Sequence, residues 1–388
     1  MKKLLLTAAA AALCSPAFAG GFDDTELRIG LITDLSGAVI EYGNESRNAA
    51  MMAVEEVNAA GGVHGRQFKL IVEDNGYEPR KAVLAAQKLI EQDDVFAIIG
   101  HLGTATNMAV LDTLIENKVY NFLPQGASPA LYDPPNQYKI GLAPSYTNMA
   151  YDTMTWFTKD HQVGKFCVIY QDDDYGRESY HGAQVWSEKS GIPIVEAVSY
   201  KRGATDFASQ VARLKAAECD VVQNSSTARE FVGSVAEANK VGFKPTWIGT
   251  AANYAPQVPQ LGGEGMNGLY ATYVFPIPYE DDENKALAAW AQEFVKRYNT
   301  KPGVYALYSY YAIHTLAKVL EAAGKDLTDE GFAAALNATD LPGNEMGTPP
   351  FDVSEDNRLP IRSIRAAQIK DGKWVNVSDW LEPADLSK

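Results

Sequence analysis

Leu27-Arg28-Ile29-Gly30-Leu31-Ile32-Thr33-Asp34-Leu35-Ser36-Gly37 carries an apolar strand straight into a loop of small, turn-forming residues. A helical pattern follows over 44–60, with Ala49, Met52, Ala53, Glu56 and Val57 at three- and four-residue spacing and Gly61-Gly62 as its stop. The unit then recurs. Residues 68–73 read as a strand, and 78–92 as a helix that tolerates Pro79 near its start. Residues 95–99 form a third strand, 104–117 a helix and 119–123 a fourth strand.

A second series begins at Phe166-Cys167-Val168-Ile169-Tyr170. Helices are expected over 178–190, 206–217 and 229–241, separated by strands at 194–198, 220–223 and 246–248. Such alternation means parallel sheets with helices on both faces. Two series imply an α/β protein of two doubly wound parallel-sheet lobes. The tail complicates a two-block division: helices are expected over 282–298, 304–323 and 328–337, then strands over 364–370 and 373–377 around Asp371-Gly372. A chain that returns to the first lobe and then to the second fits this order, with Tyr273-Val274-Phe275-Pro276-Ile277-Pro278 as a crossover strand. No residue pattern recurs at a fixed period, so a solenoid is excluded.

At the N-terminus, Lys2 and Lys3 precede an apolar run over 4–13, and Ala17-Phe18-Ala19 offers small residues where a signal peptidase cuts. The run is far short of the ~20 residues that cross a bilayer. Residues 1–19 are expected to be a cleaved secretory signal, leaving an exported, periplasmic chain. At 388 residues the sequence is too long for one ordinary core. Its net charge of −15, more negative once the leader lysines are gone, disfavours nucleic acid and anionic membranes as partners. Cys167 and Cys219 remain after processing. They read as two buried thiols packing as small apolar groups, with a bridge open to them if their strands are neighbours.

Ligands of open parallel sheets bind at the carboxyl ends of strands, where loops enter helices. Four loops qualify: 33–37, 100–106, 124–129 and 171–176. The second and third are rich in Gly, Thr and Ser and leave N–H groups free for a carboxylate, with Thr104 adding a hydroxyl. Helix capping by Thr104 and Ser128 is the ordinary reading and is compatible with that role. His64, His101, His161, His181 and His314 lack metal-ligand spacing. The run at 262–268 leads into a strand and so reads as a turn, not a phosphate loop. There is neither a nucleophile elbow nor a P-loop lysine, and nothing calls for a cofactor or for catalysis. Tyr308, Tyr310 and Tyr311 read as core or cleft wall.

Ile29-Gly30-Leu31…Leu35-Ser36-Gly37, Asn58-Ala59-Ala60-Gly61-Gly62-Val63-His64-Gly65-Arg66, Gly100-His101-Leu102 and Asp174-Tyr175-Gly176 occur in that order. Asp206-Phe207…Arg213-Leu214-Lys215 and Phe351-Asp352 follow. In this order and spacing the chain resembles periplasmic substrate-binding proteins of the leucine/isoleucine/valine-binding type, which feed ABC importers. The resemblance implies a type I periplasmic binding fold with a three-crossover hinge. Its lobes would be residues 27–147 with 276–344, and 148–275 with 345–388. It also implies a monomer that binds a small carboxylate, aromatic acid or amino acid and hands it to permease subunits. A secreted enzyme or a sensory ligand-binding partner is the alternative. The family's carboxylate-binding hydroxyl falls on Thr104, its backbone donors near Gln125, Gly126 and Ala127, and its cleft aromatics on Tyr42 and Tyr175. Asn253 and Thr227 occupy the loops that face them. Ala251 stands where amino-acid binders carry an acid for the α-ammonium, and Thr227 near where they carry a tyrosine. Tyr254, with Tyr42 and Tyr175, is expected to wall the cleft.

Overall fold

Residues 20–386 are described by the computed structural model, so the expected leader at 1–19 lies outside the described residues. The first series forms β1 (Glu26–Thr33), α1 (Ile40–Ala59), β2 (Gln67–Asp74), α2 (Pro79–Glu91), β3 (Ala97–Ile99), α3 (Thr104–Met108), α4 (Leu111–Glu116), β4 (Tyr120–Phe122) and β5 (Lys139–Ile140). The strands make a wholly parallel sheet in the order β2-β1-β3-β4-β5. Because strand side chains alternate, Leu27, Ile29 and Leu31 join the core under α1. Ile32 and Ile98 face the other way, onto Ala82, Leu89 and Leu114.

The single helix expected over 104–117 is two short ones. Thr106 Oγ1 donates to the carbonyls of Leu102 and Gly103, and Asn107 Nδ2 to those of His101 and Gly103. Side chains that bond back onto the backbone compete with the helical ladder. Here they fasten the first turn to the loop before it, and the chain restarts at Leu111.

The second series forms α5 (Tyr146–Phe157), β6 (Phe166–Gln171), α6 (Asp174–Ser190), β7 (Ile194–Tyr200), α7 (Ala208–Ala216), β8 (Val221–Ser225), α8 (Ala228–Lys240), β9 (Thr246–Gly249), α9 (Gln257–Gly262) and β10 (Tyr270–Tyr273). The tail adds α10 (Lys285–Tyr298), α11 (Val304–Ala323), α12 (Asp329–Ala338), β11 (Asp340–Leu341), β12 (Phe351–Asp352), β13 (Arg365–Lys370) and β14 (Lys373–Asn376). The second sheet runs β14-β13-β10-β9-β8-β6-β7, with β13 alone reversed, antiparallel to both β10 and β14. α11 packs along α1 and reaches β3. The chain therefore passes between the sheets three times: after β5, after β10, and between α12 and β13. β10 ends at Tyr273, and the expected crossover strand is shorter than the sequence pattern implied, since 274–278 is a connector.

One expectation is corrected. Cys167 and Cys219 are joined by a disulfide, their Cα atoms 5.9 Å apart. β6 and β8 are parallel neighbours, with Cys167 opposite Val222, so the strand order brings the two sulfurs together. Neither cysteine's local sequence could reveal which strands would be adjacent.

Candidate functional site

The carboxyl ends of the two sheets face each other, and α1 supplies the first link between them. Tyr42 OH donates to the Ala252 carbonyl and accepts from the Ala228 N–H, both at 2.9 Å. Its ring stacks on Tyr305 of α11 with centroids 4.1 Å apart. Gln257 Nε2 donates to Glu45 Oε1 at 2.6 Å. At the opposite end, the Arg202 guanidinium lies 4.7 Å over the Tyr77 ring and pairs with Asp173 at 2.7 Å. These contacts hold the lobes closed on one another.

Closure leaves a cavity of about 20 Å³ lined by Tyr42, Tyr77, Leu102, Thr104 and Tyr175, room for roughly one water. A second cavity of about 30 Å³ continues from it, bordered by Leu142, Ala143, Met149, Ala251 and Tyr308. Tyr146, Tyr305 and Ala252 line both. Larger grooves of about 410 and 420 Å³ lie elsewhere, around Tyr279 and around Trp380.

Thr104 is 2% exposed and its Oγ1 makes no hydrogen bond of good geometry among the described residues. The Tyr146 phenol lies beside it, that hydroxyl working against the rise that burial imposes on the phenol's pKa. Gly126 passes so close that a Cβ there would sit 3.2 Å from Thr104 Oγ1. The N–H groups of Gly126 and Ala127 have no partner among the described residues. Gln125 differs from them: its N–H bonds the His101 carbonyl at 2.9 Å. Its side chain accepts from Ser46 and donates to Ser309, tying the loop to α1 and α11. The Gln125 amide thus holds the donors in place.

On the facing lobe, Tyr175 OH donates to the Ser226 carbonyl at 2.9 Å and meets Thr250 Oγ1 at 2.5 Å. Its ring stands edge-on to Tyr146, centroids 4.7 Å apart. Asn253 spends its amide within its own lobe, donating to the Ser226 carbonyl at 2.7 Å and accepting from the Thr250 N–H at 2.8 Å. Thr227 caps α8 by position, and its hydroxyl is engaged by Glu230. Thr227 lines the first cavity with its hydroxyl already engaged, and Asn253 lines neither cavity. Tyr254 is placed otherwise than expected: it stacks on Tyr273 at 4.5 Å, and its hydroxyl accepts from the Ile277 N–H. It belongs to the core beside the second crossover. Tyr77, Tyr146 and Tyr305 wall the cleft instead. Tyr305 sits one turn before Tyr308 on the same apolar helix, a signal present in the sequence; Tyr77 and Tyr146 carried none.

Burial governs the electrostatics. It raises the Tyr42, Tyr175 and Tyr305 phenols well above their usual range, so all three are neutral. It lifts Glu45 to about 8, opposed by the hydrogen bond from Gln257. It lifts Glu178 to about 8 as well, opposed by the Ser128 hydroxyl and the N–H groups opening α5. Neither cavity is lined by an Asp or Glu. His101, pushed to about 3 by burial, is a neutral ring. Among the described residues no cluster of His, Cys, Asp or Glu could hold a metal ion, and no helix is long and apolar enough to cross a membrane.

Comparison with known proteins agrees with this architecture. The family profile described as "Periplasmic binding protein" matches residues 26–373. The leucine-, isoleucine-, valine-, threonine- and alanine-binding protein of Pseudomonas aeruginosa is 26% identical over 345 residues, covering 87% of this chain and 88% of its own. Leu/Ile/Val-binding protein homolog 8 of Brucella suis is 24% identical, with 97% and 96% covered. A fatty acid ABC transporter substrate-binding protein from Thermomonospora curvata superposes with a TM-score of 0.82 at 24% identity, covering 94% of each chain. LivJ from Streptococcus pneumoniae, in complex with isoleucine, gives 0.79 at 21% identity, covering 92% of this chain and all of that one. At these identities the solved structures establish the fold.

Proposed function

This chain belongs to the periplasmic binding protein family, and from that premise we propose that it is an exported solute-binding protein that carries a small organic carboxylate without an α-amine to an ABC importer of the branched-chain amino acid type. It acts as a monomer in the periplasm, and its lobes are residues 27–147 with 276–344, and 148–275 with 345–388. The ligand sits in the interlobe cleft among Tyr42, Thr104, Gly126, Ala127 and Tyr175, with Gln125, Thr227 and Asn253 shaping the loops.

One observation carries the reading. A buried, unpartnered Thr104 hydroxyl stands with two unpartnered N–H groups beside a cavity that no carboxylate lines. Three donors suit an anion. An ammonium buried there without a counter-charge would cost several kcal/mol. The relatives' names point both to branched-chain amino acids and to a fatty acid, and the lining favours the amine-free side.

Calorimetric titration of leucine, isoleucine and valine against benzoate and short aliphatic acids tests this. The acids are expected to bind more tightly. Submicromolar leucine binding would overturn the choice of ligand and show that the ammonium finds another partner.

A further inference from the structure

Resting on the carboxylate reading above, we propose that the second cavity is the ligand's body site: an apolar group enters the chamber bounded by Leu142, Met149, Ala251 and Tyr308. Met149 and Ala251 then determine which acids are accepted.

The argument starts from where the donors stand. Thr104 lines the first cavity, whereas Gly126 and Ala127 line the second. The three donors therefore mark the junction of the two chambers, and a carboxylate held there has one chamber on either side. The first chamber's polar walls are already engaged: Tyr42 across the lobes to Ala228 and Ala252, and Tyr175 within its own lobe to Ser226 and Thr250. A ligand body entering on that side would have to break those contacts. On the other side Leu142 and Met149 are almost wholly buried, Ala143 is buried and Ala251 is half-buried. These side chains offer only hydrocarbon and thioether surface. The Tyr308 ring completes the wall, packed edge-on against Tyr305 and Phe275.

Glu178 bears on the Tyr146 phenol electrostatically, and the Ser128 hydroxyl and the N–H groups opening α5 favour its charged form. It does not line the chamber and gives an ammonium nothing to pair with. Each methylene moved from water into such a chamber is worth about fourfold in affinity. At about 30 Å³ the closed chamber has room for little more than a methyl group, so a longer body needs it to widen, and Met149, unbranched and adaptable, can yield. Ala251 is small, and any larger residue there shortens the chamber from the facing lobe.

The test titrates wild type, Ala251→Leu, Met149→Trp and Thr104→Ala by calorimetry with propionate, 4-methylpentanoate and 3-phenylpropionate. The two longer acids are leucine and phenylalanine stripped of their amines. Filling the chamber from either lobe should weaken both longer acids by at least about tenfold and change propionate by less than about threefold. Thr104→Ala should weaken all three. Should Met149→Trp fail to fold on a thermal melt, Ala251→Leu at its half-buried position decides alone. If the filled variants bind the longer acids as wild type does while Thr104→Ala loses them, the body site is wrong and the carboxylate reading stands. If wild type prefers leucine to 4-methylpentanoate, the carboxylate reading itself has failed, and this inference falls with it.

Discussion

The sequence offers Thr104 two roles, helix capping and ligand recognition. By position it opens α3, the ordinary place for a capping hydroxyl, yet Gly103 before it holds the N-cap position with φ +98°, and Thr104 Oγ1 caps nothing. Its freedom makes it available to a ligand. Thr104→Ala should weaken carboxylate binding by ~1.5–3 kcal/mol, the scale of a hydrogen bond to a charged group. The melting temperature should stay close to wild type, since the hydroxyl makes no hydrogen bond of good geometry among the described residues. Calorimetry on the folded variant checks this; unaltered affinity would leave Thr104 no part in recognition. Thr104 was legible because its loop could be placed at a strand end from the sequence alone. Tyr254 was misplaced because a tyrosine after β9 can turn either into the cleft or onto Tyr273, and only packing chooses.

At the scale of elements, periodicity identified most helices and strands but not their neighbours. β5 and α5 escaped notice, the first because two residues leave no period and the second because it depends on Ser145 accepting from Asn148 N rather than on a clean apolar stripe. The disulfide has the same origin: it follows from β6 and β8 lying side by side, information that no single strand contains. The bridge closes a separation of 52 residues within the second lobe. Replacing both cysteines by serine should therefore destabilise that lobe by about 2–4 kcal/mol. Denaturant unfolding of the double variant, followed by Trp fluorescence, measures it. A loss well under 1 kcal/mol would mean that the strands hold their places unaided.

Titration is also set at this scale, where α1 meets α9. Glu45 rests near Gly303, just before α11, and is reached across the seam by Gln257. Burial raises its pKa from an ordinary 4.5 to about 8. The folded protein thus holds a proton that the unfolded chain releases. The stability this provides is complete below pH 4.5 and is lost as pH rises through 8. Glu178 acts in the same direction. Melting temperature should fall between about pH 5 and pH 9, and Glu45→Gln, which keeps the hydrogen-bonding shape without the proton, should flatten that fall. A profile identical in wild type and variant would mean that water reaches Glu45 and relieves its burial.

For the whole molecule, three passages of chain between the sheets create a hinge, and the sites on either side of it work only together. Tyr42 is carried by the first lobe and bonds backbone groups of the second; Arg202 is carried by the second and covers Tyr77 of the first. Tyr42 and Tyr77, which line the cavity, also bridge the lobes, so under the proposed function ligand capture and closure form one event. Arg202 lies outside both cavity linings, which separates the two effects experimentally. Small-angle scattering should show the radius of gyration falling when a bound acid is added at saturation. Arg202→Ala should weaken binding by making the closed form harder to reach, and calorimetry would see this as lower affinity for every acid without a change in their order. If the radius stays constant under a saturating ligand, the lobes do not move relative to one another. The cleft would then have to fill by side-chain rearrangement of its tyrosines, and Arg202→Ala would leave affinity untouched.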